Sequence, residues 1–367
     1  MIRRNKTKEI RIGNRVIGGT NPILVQSMTN TYTGNIGKTM RQIRKLIRAD
    51  CEIVRVAVPD IESCKAIALF KKKVHIPIIA DIHFDYRLAV RAIEEGADKI
   101  RINPGNIGKK ANIKKIVVKA KNAGIPLRIG VNAGSLEKEL CRKYGGPVPD
   151  ALVESTLRNV EIVESFGFHD IVISIKSSSV LDTIDATIKV ARVMDYPIHL
   201  GITESGPIAS GTIKSAAGIS VLLHRGIGDT IRVSLTGDPV SEVVVGYGIL
   251  QSLNLRVHGP DIISCPTCGR MEVDIAPIVK KVEQRTSNLC ENIKIAIMGC
   301  IVNGPGEARI ADIGIACGKG AAILFKKGKI VKKVSEKEML KTFLDEIDTL
   351  VEKSPRKQRK DNKKSRK

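Results

Sequence analysis

Five of the eight cysteines fall between residues 265 and 317: Cys265, Cys268, Cys290, Cys300 and Cys317. The loop Cys265-Pro266-Thr267-Cys268 spaces two thiolates so that one metal centre can take both. Cys300 sits in the Gly-rich run Gly299-Cys300-Ile301-Val302-Asn303-Gly304-Pro305-Gly306-Glu307, where small residues let the backbone approach a bulky ligand. Three chemistries compete. A structural zinc site would want a second close pair, which is missing, and His258 stands alone upstream. A thioredoxin-type redox pair would leave Cys300 without a task. An iron–sulfur cluster suits three thiolates and one other ligand, and the pattern favours it. One iron would then be left for chemistry, capped by Cys290, Cys317 or a carboxylate. Glu307 is a candidate cap, because a carboxylate is a harder and more labile ligand than a thiolate. Taken alone, it reads more simply as a solvated loop residue.

A second group is basic. Arg55, Arg101, Arg128, Lys176 and Arg232 each stand at or near the end of an apolar, Val- and Ile-rich run. Five cations converging on one place would be costly without an anionic ligand. Gly105-Asn106-Ile107-Gly108 and Gly130-Val131-Asn132-Ala133-Gly134-Ser135 are loops that can turn backbone N–H groups toward phosphate oxygens. Together these features point to a phosphorylated small molecule. Asp81, His83, Asn103, Asn132 and Ser234 are further polar groups at run ends, and they complete the candidate binding set. Glu204 closes His199-Leu200-Gly201-Ile202-Thr203-Glu204, where a carboxylate facing cations could move a proton. An ion pair with Lys176 or Arg232 explains it equally well. Cys51, Cys64 and Cys141 read as small buried hydrophobes.

The elements that must position these groups are regular. Apolar runs recur at Pro22–Met28, Glu52–Val58, Pro77–Ile82, Lys99–Asn103, Leu127–Val131, Asp170–Ile175, Pro197–Ile202 and Thr230–Leu235. Amphipathic stretches such as Thr39–Ala49, Arg87–Glu95, Ile113–Ala123 and Ala151–Phe166 lie between them. Strands alternating with helices imply a parallel sheet, and eight such units fit an α/β fold of the TIM (β/α)8 type over residues 1–255. In that fold the active site lies at the C-terminal mouth of the strands, where the polar residues collect. An open doubly wound sheet is less well supported, because no Gly-x-Gly-x-x-Gly follows the first run. The pattern changes near Asn254. Residues 256–352 read as a smaller α+β domain carrying the cysteine cluster and closed by a helix over Glu336–Val351.

Composition sets the limits. The 367 residues are 43% apolar and 27% charged, enough for a large core and a second small one. The net charge is +23, but the tail 353–367 supplies +8 of it and reads as disordered. With 3% aromatics and no Trp, stacking platforms for nucleic acid are scarce, so specific nucleic-acid binding is not expected. No apolar run is long enough to span a membrane, and no h-region follows the basic start. A reducing cytoplasmic setting, without a disulfide framework, is therefore expected.

The stretches Gln26–Thr31, Ala80–Tyr86, Arg101–Gly108, Arg128–Ser135, Gly201–Gly206, Cys265–Cys268 and Gly299–Glu307 resemble, in order, the 4-hydroxy-3-methylbut-2-enyl diphosphate synthase family of the methylerythritol phosphate pathway. The resemblance runs from about residue 8 to 350, without the central insertion of plant-type members. It implies ring opening and two-electron reductive dehydroxylation of 2-C-methyl-D-erythritol 2,4-cyclodiphosphate. It implies one 4Fe–4S cluster per subunit held by Cys265, Cys268, Cys300 and Glu307, and flavodoxin or ferredoxin as reductant. It also implies a homodimer in which one subunit's cluster domain covers the other's barrel mouth. Glu204 is then the expected acid for the departing hydroxide.

Overall fold

In a computed structural model, residues 2–287, 289, 291–300 and 309–352 are described. Glu307, Cys290 and the basic tail lie outside them. The chain divides into two compact units, Met1–Arg256 and Val257–Lys367.

The first unit opens with an antiparallel hairpin of β1 (Ile10–Ile12) and β2 (Arg15–Ile17). Eight parallel strands follow: β3 (Leu24–Met28), β4 (Ile53–Ala57), β5 (Ile78–Asp81), β6 (Lys99–Ile102), β7 (Leu127–Asn132), β8 (Ile171–Lys176), β9 (His199–Leu200) and β10 (Thr230–Ile231). Their order is β8-β7-β6-β5-β4-β3-β10-β9, and a parallel bridge from Ile173 to Ile198 brings the two ends of the sheet together. The expected TIM barrel is thus present. Its last two strands are two residues each, shorter than the apolar runs suggested, and the opening hairpin was not anticipated.

The period of two along each strand sorts the side chains. Val54, Val56, Ile78, Ile100, Ile102, Leu127 and Ile129 point outward and pack under the helices in the main core. Leu24, Ile53, Ile79 and Val172 point inward and close the barrel floor against Ile10, Ile12 and Ile17 of the hairpin. The same parity sends Gln26, Arg55, Asp81, Lys99, Arg101, Arg128, Lys176, His199 and Arg232 into the interior above that floor. Side-chain caps fix where several helices begin. Asp60 accepts from Ser63 N–H before the helix Ile61–Lys71, and Asp238 accepts from Val240 N–H before Pro239–Ser252.

The second unit is a five-stranded sheet in the order β11 (Asp261–Ser264), β12 (Lys294–Met298), β13 (Ile313–Gly318), β14 (Ala321–Lys326), β15 (Lys329–Ser335). The first three are parallel, and the last two complete antiparallel pairs. The helices Ala276–Thr286 and Glu336–Glu352 bury Ile278, Val282, Phe343 and Ile347 against Ile295, Ile297, Ile315 and Leu324. Among the described residues no helix is long and apolar enough to cross a membrane.

Candidate active site

Asp81 organises the barrel mouth. It ends β5, and its Oδ1 accepts from Arg101 Nη1 at 3.1 Å, while Arg55 Nε lies 3.8 Å from its Oδ2. His83 Nε2 stands 3.5 Å from the same carboxylate and 3.2 Å from Arg101 Nη1. Burial alone would favour the neutral acid. The Arg55 charge, the His83 hydrogen bond and the Arg101 and Arg128 charges outweigh it and hold Asp81 well below the usual carboxylate range. Asp81 therefore stays ionised and orients two guanidinium groups and an imidazole.

Arg101 is further tethered. Its Nη2 donates to Gly130 O at 3.3 Å. With the Asn132 amide turned to satisfy both of its ends, the same nitrogen donates to Asn132 at 2.9 Å, and Asn132 donates to Val131 O at 3.2 Å. Gly130 is inward-facing on β7 for a steric reason: a Cβ there would lie 2.6 Å from Arg101 Nε. Gly201 plays the same part beside β9, where a Cβ would lie 2.8 Å from Lys176 Nζ and 2.5 Å from Arg232 O. Two absent side chains thus make room for two cations.

Arg128 and Lys176 are almost wholly buried. Burial, and then the charges of Arg55 and its neighbours, push both well below their ordinary values. Burial also lowers Arg55, to about 10. Lys176 Nζ reaches His199 Nε2 at 3.4 Å, and His199 Nδ1 lies 2.8 Å from Thr230 Oγ1. Burial, then the Lys176 charge, keep His199 neutral. Arg232 is clamped from the helix Pro239–Ser252: its Nε and Nη2 donate to Glu242 at 3.1 and 2.9 Å. Glu242 also accepts from Ser27 Oγ at 2.8 Å.

The structure therefore gathers Arg55, Asp81, Arg101, Arg128, Asn132, Lys176 and Arg232 on one barrel interior, with His83 exposed in the loop after β5 beside Asp81. Asn103 caps the short helix Pro104–Ile107, its Oδ1 accepting from Gly105 N–H at 3.2 Å. Ser234 follows β10, partly exposed. Glu204 is exposed in the loop after β9, with φ of 52°. For a residue with a Cβ, that left-handed backbone carries a cost of roughly 1–2 kcal/mol, the kind of strain that collects at functional loops. Among the described residues it forms no ion pair with Lys176 or Arg232. Arg232 pairs with Glu242 and Lys176 with His199, two residues the sequence reading passed over.

In the second unit, Cys265 follows β11 and Cys300 follows β12, so parallel pairing brings both to one end of the sheet. Cys265 N–H donates to Ile297 O at 3.2 Å, and Gly299 N–H donates to Cys265 Sγ at 3.3 Å. Cys268 is exposed on the loop beyond Thr267, itself at φ 52°. The Arg270 backbone N–H lowers the Cys268 thiol. Among the described residues no three His, Cys, Asp or Glu side chains are grouped to hold a metal ion. Glu307 and Cys290, two of the candidate caps, lie outside those residues. Cys317, the remaining candidate cap, is among the described residues. It is buried in the core with Sγ 4.0 Å from Met339 Sδ, and burial pushes its thiol up to about 11. Cys51 and Cys64 are buried as expected, whereas Cys141 is only partly so.

Known proteins agree with this architecture. Residues 7–247 match the GcpE TIM-barrel domain and residues 261–349 the GcpE protein C-terminal domain. The chain is 59% identical to the 4-hydroxy-3-methylbut-2-en-1-yl diphosphate synthase (flavodoxin) of Caldanaerobacter subterraneus, over 95% of this chain and 98% of that one. It is 55% identical to the enzyme of the same name from Clostridium tetani, over 95% and 99%. A type I 3-dehydroquinate dehydratase from Clostridium difficile shares the barrel fold, with a TM-score of 0.51 at 12% identity over 68% of this chain and 98% of that one. With both domains matched in order and more than half the residues identical along nearly the whole length, the chain belongs to the GcpE family of 4-hydroxy-3-methylbut-2-en-1-yl diphosphate synthases.

Proposed function

We propose that this chain converts 2-C-methyl-D-erythritol 2,4-cyclodiphosphate to 4-hydroxy-3-methylbut-2-enyl diphosphate and water, with flavodoxin or ferredoxin supplying two electrons. One observation carries the reading. Arg55, Arg101, Arg128, Lys176 and Arg232 share one barrel interior, with Asp81 and Glu242 the carboxylates paired to them. Such an excess is stable only against an anion, and phosphoryl oxygens match guanidinium and ammonium donors.

Opening the ring frees a terminal phosphate and adds negative charge, so cations already fixed by Asp81, Asn132, His199 and Glu242 stabilise the change without reorganising. Glu204, in its strained loop, is our candidate for protonating the hydroxyl that leaves as water. The donor chemistry of the second unit suits iron: Cys265 and Cys300 at neighbouring strand ends, Cys268 on the intervening loop, and Glu307 as fourth ligand. A 4Fe–4S cluster held there would supply the electrons one at a time.

Anaerobic iron and sulfide analysis with turnover of the cyclodiphosphate tests this reading. Four irons per chain and product formation are expected. A colourless, fully active protein, or a brown one inert toward the cyclodiphosphate, refutes it. Glu204→Gln should abolish turnover and leave the visible absorption intact.

A further inference from the structure

The mouth does not use every cation in the barrel. Lys99 begins β6, two residues before Arg101, and the same strand parity turns it inward. Two residues earlier on the same face of the same strand, Lys99 sits one layer below Arg101, beside the floor residue Ile79 of β5. It is fully buried, and Nζ has no hydrogen-bond partner among the described residues. Burial, and then the charges of Arg128 and Arg55, push its ammonium well below the ordinary value, with no carboxylate to offset them. Arg128, 1% exposed, leaves Nε and Nη1 unpartnered, and buried Gln26 leaves both amide atoms unpartnered in the same interior.

These atoms are almost all donors. Among the described residues, Lys99 Nζ, Arg128 Nε and Nη1 and Gln26 Nε2 are buried donors without a hydrogen-bond partner, and Gln26 Oε1 is an acceptor without one. Charge leads to the same conclusion. Six interior basic groups, Arg55, Lys99, Arg101, Arg128, Lys176 and Arg232, share the interior with the carboxylates of Asp81 and Glu242 among the described residues, and because burial disfavours charge on Lys99 and Lys176, bound anions are what would keep all six protonated. A cyclic diphosphate brings about one charge per phosphoryl group, because the second ionisation belongs to terminal phosphates. It would offset about half of the excess. Water can satisfy the remaining donors but brings no charge, so it would leave the lysines to lose their protons, whereas a second anion would keep them charged.

We propose that Lys99 and Arg128 form a second anion site at the barrel floor, which holds a small monovalent inorganic anion of the halide class together with the diphosphate at the mouth. The inference rests on the mouth being a diphosphate site, but the two can fail separately. The probe is bromide. Crystals of the cluster-loaded protein are grown with bromide as the only halide, with and without the cyclodiphosphate, and examined by anomalous scattering. Bromide within hydrogen-bond reach of Lys99 Nζ is expected in both, and its absence in Lys99→Met. In solution, bromide should raise the wild-type Tm, and Lys99→Met should need roughly tenfold more for the same shift. Two results overturn the proposal: no bromide in the barrel, or bromide that leaves when the cyclodiphosphate binds. Floor bromide with no bound cyclodiphosphate would instead sink the reading of the mouth.

Discussion

Gly130→Ala tests how finely the mouth is set. The added methyl would fall 2.6 Å from Arg101 Nε, 3.2 Å from Arg101 Nη2 and 3.2 Å from Ser174 Oγ. The three nearest atoms all belong to side chains, so the barrel should survive and the guanidinium must move. Arg101 is held by Asp81, Gly130 O and Asn132, and displacement loosens at least one charge-assisted hydrogen bond. Such a bond contributes about 1.5–3 kcal/mol, which corresponds to a loss of about 10- to 150-fold in kcat/KM. The loss should fall mainly on KM if Arg101 holds the diphosphate equally in the ground and transition states. Overpacking should cost a further ~1–3 kcal/mol of stability, seen as a lower Tm. Gly248→Ala is the control. It lies exposed in the helix Pro239–Ser252 with nothing within 4 Å of the new methyl, and should gain up to about 1 kcal/mol. Steady-state kinetics with a reduced donor and thermal unfolding of the same samples give both numbers. Unchanged kcat/KM in Gly130→Ala would show that Arg101 does not position substrate.

Glu242→Gln strands the Arg232 charge and should cost about 3–5 kcal/mol in the substrate-free protein. Saturating cyclodiphosphate should restore part of that, and an equal Tm loss with and without substrate would count against Arg232 as a substrate ligand. The Asp81 carboxyl is depressed, so its contribution to stability is complete above its unfolded value of 3.8 and is lost as pH falls toward the lower folded value. Wild type and Asp81→Asn should therefore differ by a constant amount from pH 5 to 8 and converge below about pH 4 in urea titrations. Cys268→Ser should lose iron, whereas Cys317→Ala should keep its full iron and sulfide and lose only stability. Iron depletion in the second variant would return Cys317 to the ligand set.

The barrel was legible because a parallel strand covered on both sides must be apolar along its length, and the Val- and Ile-rich runs said so. The hairpin that plugs its floor also left a signal. Ile10 and Ile12 alternate, Gly13-Asn14 makes a two-residue turn with φ of 56° at Gly13, and Ile17 answers Ile10 across the pair. The last two strands read as longer than they are because apolar content continues into Ile202 and Val233, whereas pairing does not. Gly201 instead sits close against the Arg232 carbonyl and leaves its inner side to Lys176. The site was read from strand ends, and so it missed what lies elsewhere. Glu242 comes from a helix, visible only as a lone acid in the apolar run Val240–Tyr247. His199 and Lys99 stand at strand starts. The parity of Lys99, Arg101 and Asn103 could have placed all three on one face, because alternate residues of a strand share a side. The proposed cluster ligands raise a different difficulty. Sheet register brings Cys265 and Cys300 to one edge, but ligands on loops depend on loop conformation, which no periodicity encodes.

The same parity has a thermodynamic consequence. An ordinary barrel fills its interior with branched apolar side chains, while this one spends that volume on cations. Each buried cation without a carboxylate opposes folding until an anion enters, and an anion that binds only the folded state adds RT ln(1 + [L]/Kd) to its stability. Substrate affinity and fold stability are therefore drawn from one set of residues. Apolar replacements at Lys99 or Arg128 should make the empty barrel more stable in proportion to the binding they remove, so a variant that lost binding and stability together would mean that these charges are already matched within the chain.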